Sequence, residues 1–300
     1  MVRPTNFCTN YETLLDNKFM KKSEETNDTI NLKAQNEFDS FTNKLKSLNV
    51  NVMIENQPFI ESSDAIFPNN WFSTHKNKYI PNGLLMLYPM KSESRRKERN
   101  EKIINELKKE YENFVDLSHL EKENEFLEST GSLIFDNLNK RVYCSISERA
   151  CEKALELFIT SFNRFSSEKY ELITFKSFDK DENVIYHTNV MMSVLEKHVV
   201  ICSDVIKDQN QRKLILEKVA ENRKVVDISY QELLNFGCNI LMVKNTDNEN
   251  ILIISKTAYE NFSEKVRKIL EANYKLCINA IDTIEYVGGG SARCMVGEIY

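Results

Sequence analysis

Apolar and polar residues alternate along this chain in two distinct patterns. Apolar positions at helical spacing predict amphipathic helices over residues 34–48, 93–111 and 209–220. Ser147 is the predicted N-cap of a further helix, and Asn82-Gly83 is a predicted hairpin turn. Short apolar runs predict strands at 51–55, 84–88, 132–135, 141–145, 171–175, 190–195, 198–202, 239–243 and 250–254.

The order of these elements predicts an α/β fold built from repeated units. Strand pair, helix and strand follow one another about five times, at intervals of roughly fifty to sixty residues. Such units can stack around an axis with their loops on one side, whereas a doubly wound sheet is the alternative that periodicity leaves open. No linker rich in Pro, Gly or Ser divides the 300 residues, so we expect one domain over 1–300.

Charge and cysteine usage narrow the function classes. The net charge of −5 and the interleaved acids predict no binding to nucleic acid or membrane, and Arg95-Arg96-Lys97 with Arg99 is interpreted as a solvated helix face. The apolar runs are too short to span a bilayer and nothing at the N-terminus resembles a signal peptide, so we expect a cytoplasmic protein.

Seven cysteines without CxxC spacing predict reduced thiols, no disulfide framework and no zinc site. No sequence feature indicates a metal or another cofactor, and a homodimer is compatible with the sequence.

The last thirteen residues stand out because they contain four of the seven glycines, at 288, 289, 290 and 297. Glycine permits backbone conformations and close approaches that a Cβ would forbid. Cys294 follows this run, where it is either a small buried apolar residue or a reactive thiol. Only partner residues elsewhere in the chain can decide between the two.

Three further segments offer such partners. His187 and Asn189 come at the start of an apolar run and would share one side of a strand, although a surface pair is the alternative. Glu128 precedes the small-residue turn that opens another strand, where it is either a site residue or an exposed carboxylate. Asn69 and Asn70 follow Pro68, a combination that is also ordinary in turns.

Taken together, these motifs resemble the guanidino-group-modifying enzymes, or penteins. The ordered Glu128, His187-x-Asn189 and Gly-Gly-Gly-Ser-Ala-Arg-Cys294 set is similar to the signature of that superfamily, which includes arginine deiminase, dimethylarginine dimethylaminohydrolase and glycine amidinotransferase. In particular, the chain resembles the amidinotransferase-related citrulline-utilisation hydrolases. That resemblance rests on the segments Met1-Val2-Arg3-Pro4-x-x-Phe7, 67–75, 128–132, Ser147-x-Arg149 and the C-terminal motif.

The resemblance implies a fold and a set of roles. The implied fold is a five-bladed α/β propeller, with pseudo-fivefold ββαβ repeats and the site in the central channel. Cys294 matches the family's nucleophile, His187 its general acid and base, and Glu128 the carboxylate that orients the histidine. Arg149 matches an arginine that binds the substrate carboxylate, although it could instead be an ordinary residue of a first helical turn. The implied reaction is hydrolysis of a C–N bond in a small amino acid.

One departure from the family pattern concerns substrate charge. Arginine-processing members hold the guanidinium between two aspartates, whereas this sequence has Asn70, or else Asn69, and Asn189 at those places. A buried cation without counter-charge is costly, and an amide offers a neutral urea one donor and one acceptor. The sequence therefore favours citrulline, cleaved to ornithine, ammonia and carbon dioxide. The alternatives are a deiminase or amidinotransferase in which Asp64 or Glu61 supplies the charge, and a catalytically silent binding protein of the same fold.

Overall fold

The computed structural model describes residues 1–59 and 61–300, and within them the strands form five separate small sheets. Strands β1 and β2 pair in parallel, and the other sheets are β3-β4-β5, β6-β7-β8, β9-β10-β11 and β12-β13-β14, each with its second strand in the middle. In chain order, strands β1 to β14 are Val2–Arg3, Glu55–Asn56, Phe72–Asn77, Ile80–Leu87, Asn113–Asp116, Ile134–Asp136, Arg141–Ser145, Glu171–Phe175, Met192–Val194, His198–Ile201, Lys224–Asp227, Leu241–Lys244, Asn250–Ser255 and Lys275–Asn279.

Each three-stranded sheet repeats the same topology. Its first two strands form an antiparallel hairpin, a connection follows, and the third strand pairs in parallel with the second. The ten helices of the described residues, α1 to α10, are Asn27–Ser47, Glu93–Arg96, Glu101–Glu110, Ser129–Ser132, Glu152–Phe162, Gln209–Ala220, Tyr230–Leu234, Lys256–Asn261, Glu264–Asn273 and Asp282–Gly288. The predicted units are therefore present, four of them complete and one reduced to β1, α1 and β2.

The units are arranged around a common centre. A cavity of about 670 Å³ is bordered by the first strand of every three-stranded sheet, namely β3, β6, β9 and β12, and by residues 50–53 before β2. The helices cover the outer faces, where α1 buries Phe38, Phe41 and Leu45 and α5 buries Phe158 and Phe162. Four separate three-stranded sheets and the segment before β2 around one cavity exclude the doubly wound alternative.

Several local predictions differ from the structure. The strand predicted at 51–55 is reduced to Glu55–Asn56, and the helix predicted over 93–111 is interrupted before Asn100, whose side chain caps α3. The hairpin turns before Ile80 instead of at Asn82-Gly83, because the side chain of Asn77 accepts from the backbone N–H groups of Tyr79 and Ile80 at 2.8 and 3.2 Å. Gly83 lies inside β4.

The predicted N-cap at Ser147 is also wrong. Helix α5 begins at Glu152, with Cys151 in the N-cap position. The Ser147 hydroxyl instead accepts from the backbone N–H of Arg149 and donates to the carbonyl of Tyr186, 2.7 Å away. Ser147 therefore fixes a loop beside the residues that precede β9.

The predicted solvated face at Arg95 is wrong as well. The Arg95 side chain is buried, and its guanidinium donates to both oxygens of Glu98 at 2.7 and 3.0 Å. Arg99 forms a two-pronged ion pair with Glu121 at 2.6 and 2.8 Å. Arg95 and Arg99 are therefore at least partly internal because each pairs with a carboxylate, whereas Lys97 is exposed as predicted.

Candidate active site

The sequence-predicted site residues come directly before the first strands of their units. Asn70 precedes β3, Glu128 begins the turn that leads to β6, and Asn189 precedes β9. The first strands border the central cavity, so the segments before them meet at the same end of it. Cys294 joins them from the C-terminal segment that follows α10.

Glu128 and His187 form the central hydrogen bond of the site. The Nε2 atom of His187 lies 2.7 Å from Oε2 of Glu128, and both side chains are buried. His187 and Asn189 were predicted to share one side of a strand, but residues Thr188–Val190 form a 3₁₀ turn. That turn sends His187 towards Glu128 and Asn189 towards Cys294.

Two arginines hold the charge on Glu128. Burial alone would raise the pKa of this carboxyl, but Arg149 at 3.3 Å, the bond to His187 and Arg95 at 4.0 Å together bring the pKa well below its usual value. The other carboxylate oxygen accepts from the backbone N–H of Lys91 at 3.2 Å. Glu128 is therefore ionised at neutral pH.

The bond to an ionised carboxylate sets the protonation pattern of His187. Burial lowers the pKa of His187, with the hydrogen bond to Glu128 opposing the shift and the charges of Arg149 and Arg95 adding to it. In the neutral ring, Nε2–H donates to Glu128 and Nδ1 keeps its lone pair. His187 can thus accept a proton at Nδ1 and later return it.

Cys294 is surrounded by amides. Its sulfur lies 3.2 Å from Nδ2 of Asn239 and 3.7 Å from Nδ2 of Asn189. The thiol is 7% exposed. Among the described residues, no carboxylate forms a hydrogen bond with this sulfur.

Asn70 and Asn69 lie close to the histidine. With its amide oxygen turned towards Arg95, Asn70 accepts from Nη1 and Nη2 at 2.8 and 3.1 Å, which leaves its NH₂ group facing Gly131. The neighbouring Nδ2 of Asn69 is buried and has no hydrogen-bond partner within the described part of the chain. The Asn69 carbonyl accepts from the hydroxyl of Thr130 at 3.0 Å.

Gly131 explains how these groups come together. A Cβ at this position would overlap the Asn70 amide and come within 2.9 Å of Cε1 and Nδ1 of His187. The small-residue turn before β6 is therefore required by the approach of two functional side chains. Its neighbour Ser129 has a φ of +34°, and its hydroxyl bonds to the Phe72 carbonyl at 2.7 Å.

Arg149 is placed differently from the expectation that it is free to bind a substrate. Its guanidinium is 2% exposed and pairs with Glu128 at 3.3 Å and Asp16 at 2.5 Å. Its Nε atom has no partner among the described residues. The two Nη groups of Arg149 are therefore already engaged by Glu128 and Asp16.

Two cavities lie on the outer side of Cys294. The inner one, of about 10 Å³, is bordered by Cys294, Asn189 and Asn239 and is about large enough for one water molecule. The outer one, of about 550 Å³, is bordered by Asp16. Both are lined by Phe19, Tyr186, Val190, Leu233 and Phe236. The ring centroids of Phe19 and Phe236 are 5.2 Å apart.

Two residues of the site were missed by sequence reasoning. Arg95 was assigned to a solvated face, and Asn239 was not singled out at all. The signal for Asn239 was available, because Asn70-Trp71-Phe72, Asn189-Val190-Met191 and Asn239-Ile240-Leu241 share one pattern before β3, β9 and β12. No comparable pattern marks Arg95, whose burial depends on Glu98 and Asn70.

Within residues 1–59 and 61–300, the structure contains neither a metal-binding cluster nor a membrane-spanning helix. No group of three or more His, Cys, Asp or Glu residues in these ranges is arranged to hold a metal ion. No helix formed by these residues has the length and apolar character needed to cross a membrane.

The fold and site define a guanidino-group-modifying enzyme of the pentein superfamily, a five-bladed α/β propeller, as the sequence predicted. The family model for eukaryotic N,N-dimethylarginine dimethylhydrolase matches residues 3–300, and the chain belongs to that family. It is a hydrolase acting on C–N bonds other than peptide bonds, which confirms the predicted enzyme class. The particular likeness to citrulline-utilisation hydrolases stays a prediction.

Solved structures share the fold at low sequence identity. The N-terminal domain of ArgZ, a cyanobacterial arginine dihydrolase, was solved with bound substrate; it is 15% identical, with a TM-score of 0.73 over 98% of this chain and 95% of that one. AgrE with ornithine and NAD⁺ is 15% identical, with a TM-score of 0.73 over 100% of this chain and 39% of that one. A dimethylarginine dimethylaminohydrolase adduct is 16% identical, with a TM-score of 0.64 over 98% and 96%.

The chain spans 40% of the length of full-length ArgZ. No curated protein sequence is significantly similar to it.

Proposed function

We propose that this protein hydrolyses a ureido amino acid, with citrulline converted to ornithine, ammonia and carbon dioxide. The observation that carries the proposal is the amide environment of Cys294. Asn189 and Asn239 contact the sulfur, and Asn70 stands beside the histidine. Among the described residues, no carboxylate forms a hydrogen bond with the thiol, so a positively charged guanidinium would find no side-chain carboxylate there to balance its desolvation.

The unpaired polar atoms also suit a urea. Oδ1 of Asn189 and Nδ2 of Asn69 are buried and lack partners among the described residues, so the site offers one acceptor and one donor. A ureido group presents N–H donors and one carbonyl acceptor, whereas a guanidinium presents donors only. Leaving either protein atom unpaired costs about 1 to 3 kcal/mol, which binding of a urea can recover.

The proposed reaction has two stages. His187 first takes the proton of the Cys294 thiol at Nδ1. The resulting thiolate attacks the ureido carbon, the bond from that carbon to the side-chain nitrogen breaks, and His187 gives the same proton to that nitrogen so that ornithine leaves. His187 then takes a proton from water, whose oxygen attacks the carbamoyl carbon and releases the thiolate. The freed carbamate decomposes to ammonia and carbon dioxide, so one water is consumed overall.

Glu128 and Arg149 support these steps from outside the reacting atoms. Glu128 accepts from Nε2 of His187 and keeps Nδ1 available for the proton. We assign the substrate carboxylate to Arg149 after release of Asp16, since a planar guanidinium suits two-pronged binding of a carboxylate.

A second candidate is hydrolysis of arginine. It is favoured by the fold shared with ArgZ, an arginine dihydrolase, and by the matched dimethylarginine family. Asp64, the carboxylate considered as a replacement anion, is buried. Its Oδ2 accepts from Asn10 and Thr13 at 2.9 and 3.0 Å, and its Oδ1 has no hydrogen-bond partner among the described residues. Glu61, the other candidate, is exposed.

A substrate comparison tests the proposal. Purified protein is incubated with citrulline, arginine and dimethylarginine, and ornithine, citrulline and ammonia are quantified, with Cys294→Ala as the control for the thiol. We expect ornithine and ammonia from citrulline at the highest kcat/KM, and none from the Cys294→Ala variant. Release of citrulline from arginine or dimethylarginine, with no ornithine from citrulline, would overturn the choice of substrate.

A further inference from the structure

Asn239 contacts the candidate nucleophile, Cys294, although the sequence did not indicate Asn239 as a site residue. Its Nδ2 atom lies 3.2 Å from the sulfur of Cys294, nearer than the 3.7 Å of Asn189. The side chain is 3% exposed. Buried N–H groups normally have a hydrogen-bond partner, and the sulfur of Cys294 is close enough to be the partner of this amide.

The orientation of the Asn239 amide is fixed by the backbone beside Cys294. Its Oδ1 accepts from the N–H of Arg293 at 3.1 Å, and the Asn239 carbonyl accepts from the same N–H at 3.4 Å. The opposite orientation would face that N–H with a second donor. The NH₂ group is therefore the nearer of the two amide groups to the sulfur, at 3.2 Å, and Oδ1 lies 3.6 Å from it.

The position of Asn239 repeats that of the other site amides. It precedes β12 as Asn70 precedes β3 and Asn189 precedes β9. The fourth three-stranded unit thus contributes a side chain to the same end of the central cavity. Asn239 also borders the small cavity in front of Cys294.

A citrulline-type substrate makes such a donor necessary. A cationic substrate could itself favour an ionised thiol, but a neutral urea brings no charge. We propose that Asn239 is a catalytic residue that stabilises the Cys294 thiolate by donating a hydrogen bond to the sulfur, with Asn189 as a weaker second donor. This proposal rests on Cys294 being the nucleophile of the proposed function.

Few charged groups compete with this donor. Tyr186 is the one other ionisable side chain bordering the small cavity within the described residues, and burial raises its pKa. His187 is bonded to Glu128, with Arg149 and Arg95 behind that carboxylate. The charged residues near Cys294 in the sequence are bonded to other groups: Arg293 pairs with Glu298 at 2.9 Å, and Glu285 accepts a hydrogen bond from Ser291 at 2.5 Å.

The test measures thiol ionisation without any substrate. The rate of Cys294 alkylation by iodoacetamide is followed from pH 5 to 10 by mass spectrometry of its peptide, so the other six cysteines do not contribute. Asn239→Asp keeps an oxygen for the Arg293 N–H and replaces the donor by a charge. Asn239→Ala removes the donor and the side-chain acceptor together, and leaves the Arg293 N–H its bond to the Asn239 carbonyl.

We expect the midpoint of the alkylation profile to rise by about one pH unit in Asn239→Ala, which is about tenfold less thiolate below the midpoint, and by more in Asn239→Asp. Asn273→Asp, the same change on α9, where Nδ2 bonds to the Ile269 carbonyl, should leave the profile unchanged. Circular dichroism identifies variants that do not fold; if Asn239→Ala is one of them, Asn239→Leu, which has no side-chain hydrogen-bond donor, serves as the second test. A native profile in any folded variant lacking the amide would overturn the proposal, whatever the substrate proves to be.

Discussion

The Nε2 atom of His187 lies 2.7 Å from Oε2 of Glu128, and both residues are inaccessible to bulk water. Arg149 and Arg95 surround the same carboxylate, so the histidine is bonded to an anion whose charge is itself compensated. This arrangement fixes the ring and its tautomer while keeping the histidine neutral. It therefore connects a buried ion network directly to the proposed proton carrier.

Replacing Glu128 by Gln should affect both activity and stability. The amide has nearly the same shape but no charge, so His187 loses its anionic partner and kcat should fall about 10²- to 10⁴-fold. Arg149 and Arg95 lose a buried counter-charge, which should lower the free energy of unfolding by about 3 to 5 kcal/mol. Steady-state kinetics and denaturant unfolding measure the two effects.

Asp136→Asn is the matched control for Glu128→Gln. Asp136 is a buried carboxylate that pairs with Arg223 at 2.7 Å, away from the site. This variant should lose stability and keep its kcat when assayed folded. Equal loss of kcat in both variants would show that Glu128 acts through general stability alone.

Replacing Asn189 by Asp should change the charge preference of the site. A carboxylate there would favour a guanidinium and oppose the thiolate 3.7 Å away. We expect kcat/KM for citrulline to fall and the ratio of arginine to citrulline turnover to rise about tenfold or more. Parallel kinetics on both substrates measure the ratio, and the exposed Asn222→Asp controls for net charge. An unchanged ratio would remove the charge argument for citrulline.

Asp16 should compete with the substrate for Arg149. Its carboxylate lies 2.5 Å from Nη2 of Arg149 and also pairs with Lys91 at 2.8 Å. Because Asp16 is partly exposed, removing its charge by Asp16→Asn should lower KM by about fivefold at most, equivalent to about 1 kcal/mol. Initial rates over a range of citrulline concentrations measure this.

Glu148→Gln is the control for Asp16→Asn, since Glu148 pairs with the same Lys91 but not with Arg149. Its KM should stay native. A rise in KM in Asp16→Asn would instead indicate that Asp16 contacts the substrate, and Arg149 would lose its assigned role.

His75 should make the protein sensitive to acid. Burial against aromatic rings lowers its pKa to about 3, from 6.5 in the unfolded chain. Between these values the unfolded state binds a proton that the folded state does not, so stability falls as the pH drops from 6.5 towards 3, by about 1.4 kcal/mol per pH unit. The lowered pKa of His187 adds in the same direction.

Urea unfolding at pH 7, 6 and 5 measures this slope. His75→Gln should be less stable at pH 7, because Ser73 loses its ring partner, but its slope should be smaller. His119→Gln, at an exposed position, controls for loss of an imidazole. A native slope in His75→Gln would contradict the assignment.

Local pattern was sufficient where an element depends on its own residues. Helix α6 runs over Gln209–Ala220 as predicted, since Asp208 caps it and its apolar positions keep helical spacing. Strands β7 and β8 also match their apolar runs. The hairpin at Asn77 and the loop at Ser147 did not follow local pattern, because hydrogen bonds outside the predicted motifs determined them.

The sequence by itself determined the repeated units, the family and the chemical types of Glu128, His187 and Cys294, because motifs in order along the chain carry that information. Only the tertiary structure decided which groups surround them. Arg95 reaches Asn70, Asp16 reaches Arg149 across 133 positions of sequence, and Asn239 reaches Cys294 across 55. These contacts arise because the units close around one cavity and bring distant loops to the same end, which spacing along a chain cannot specify.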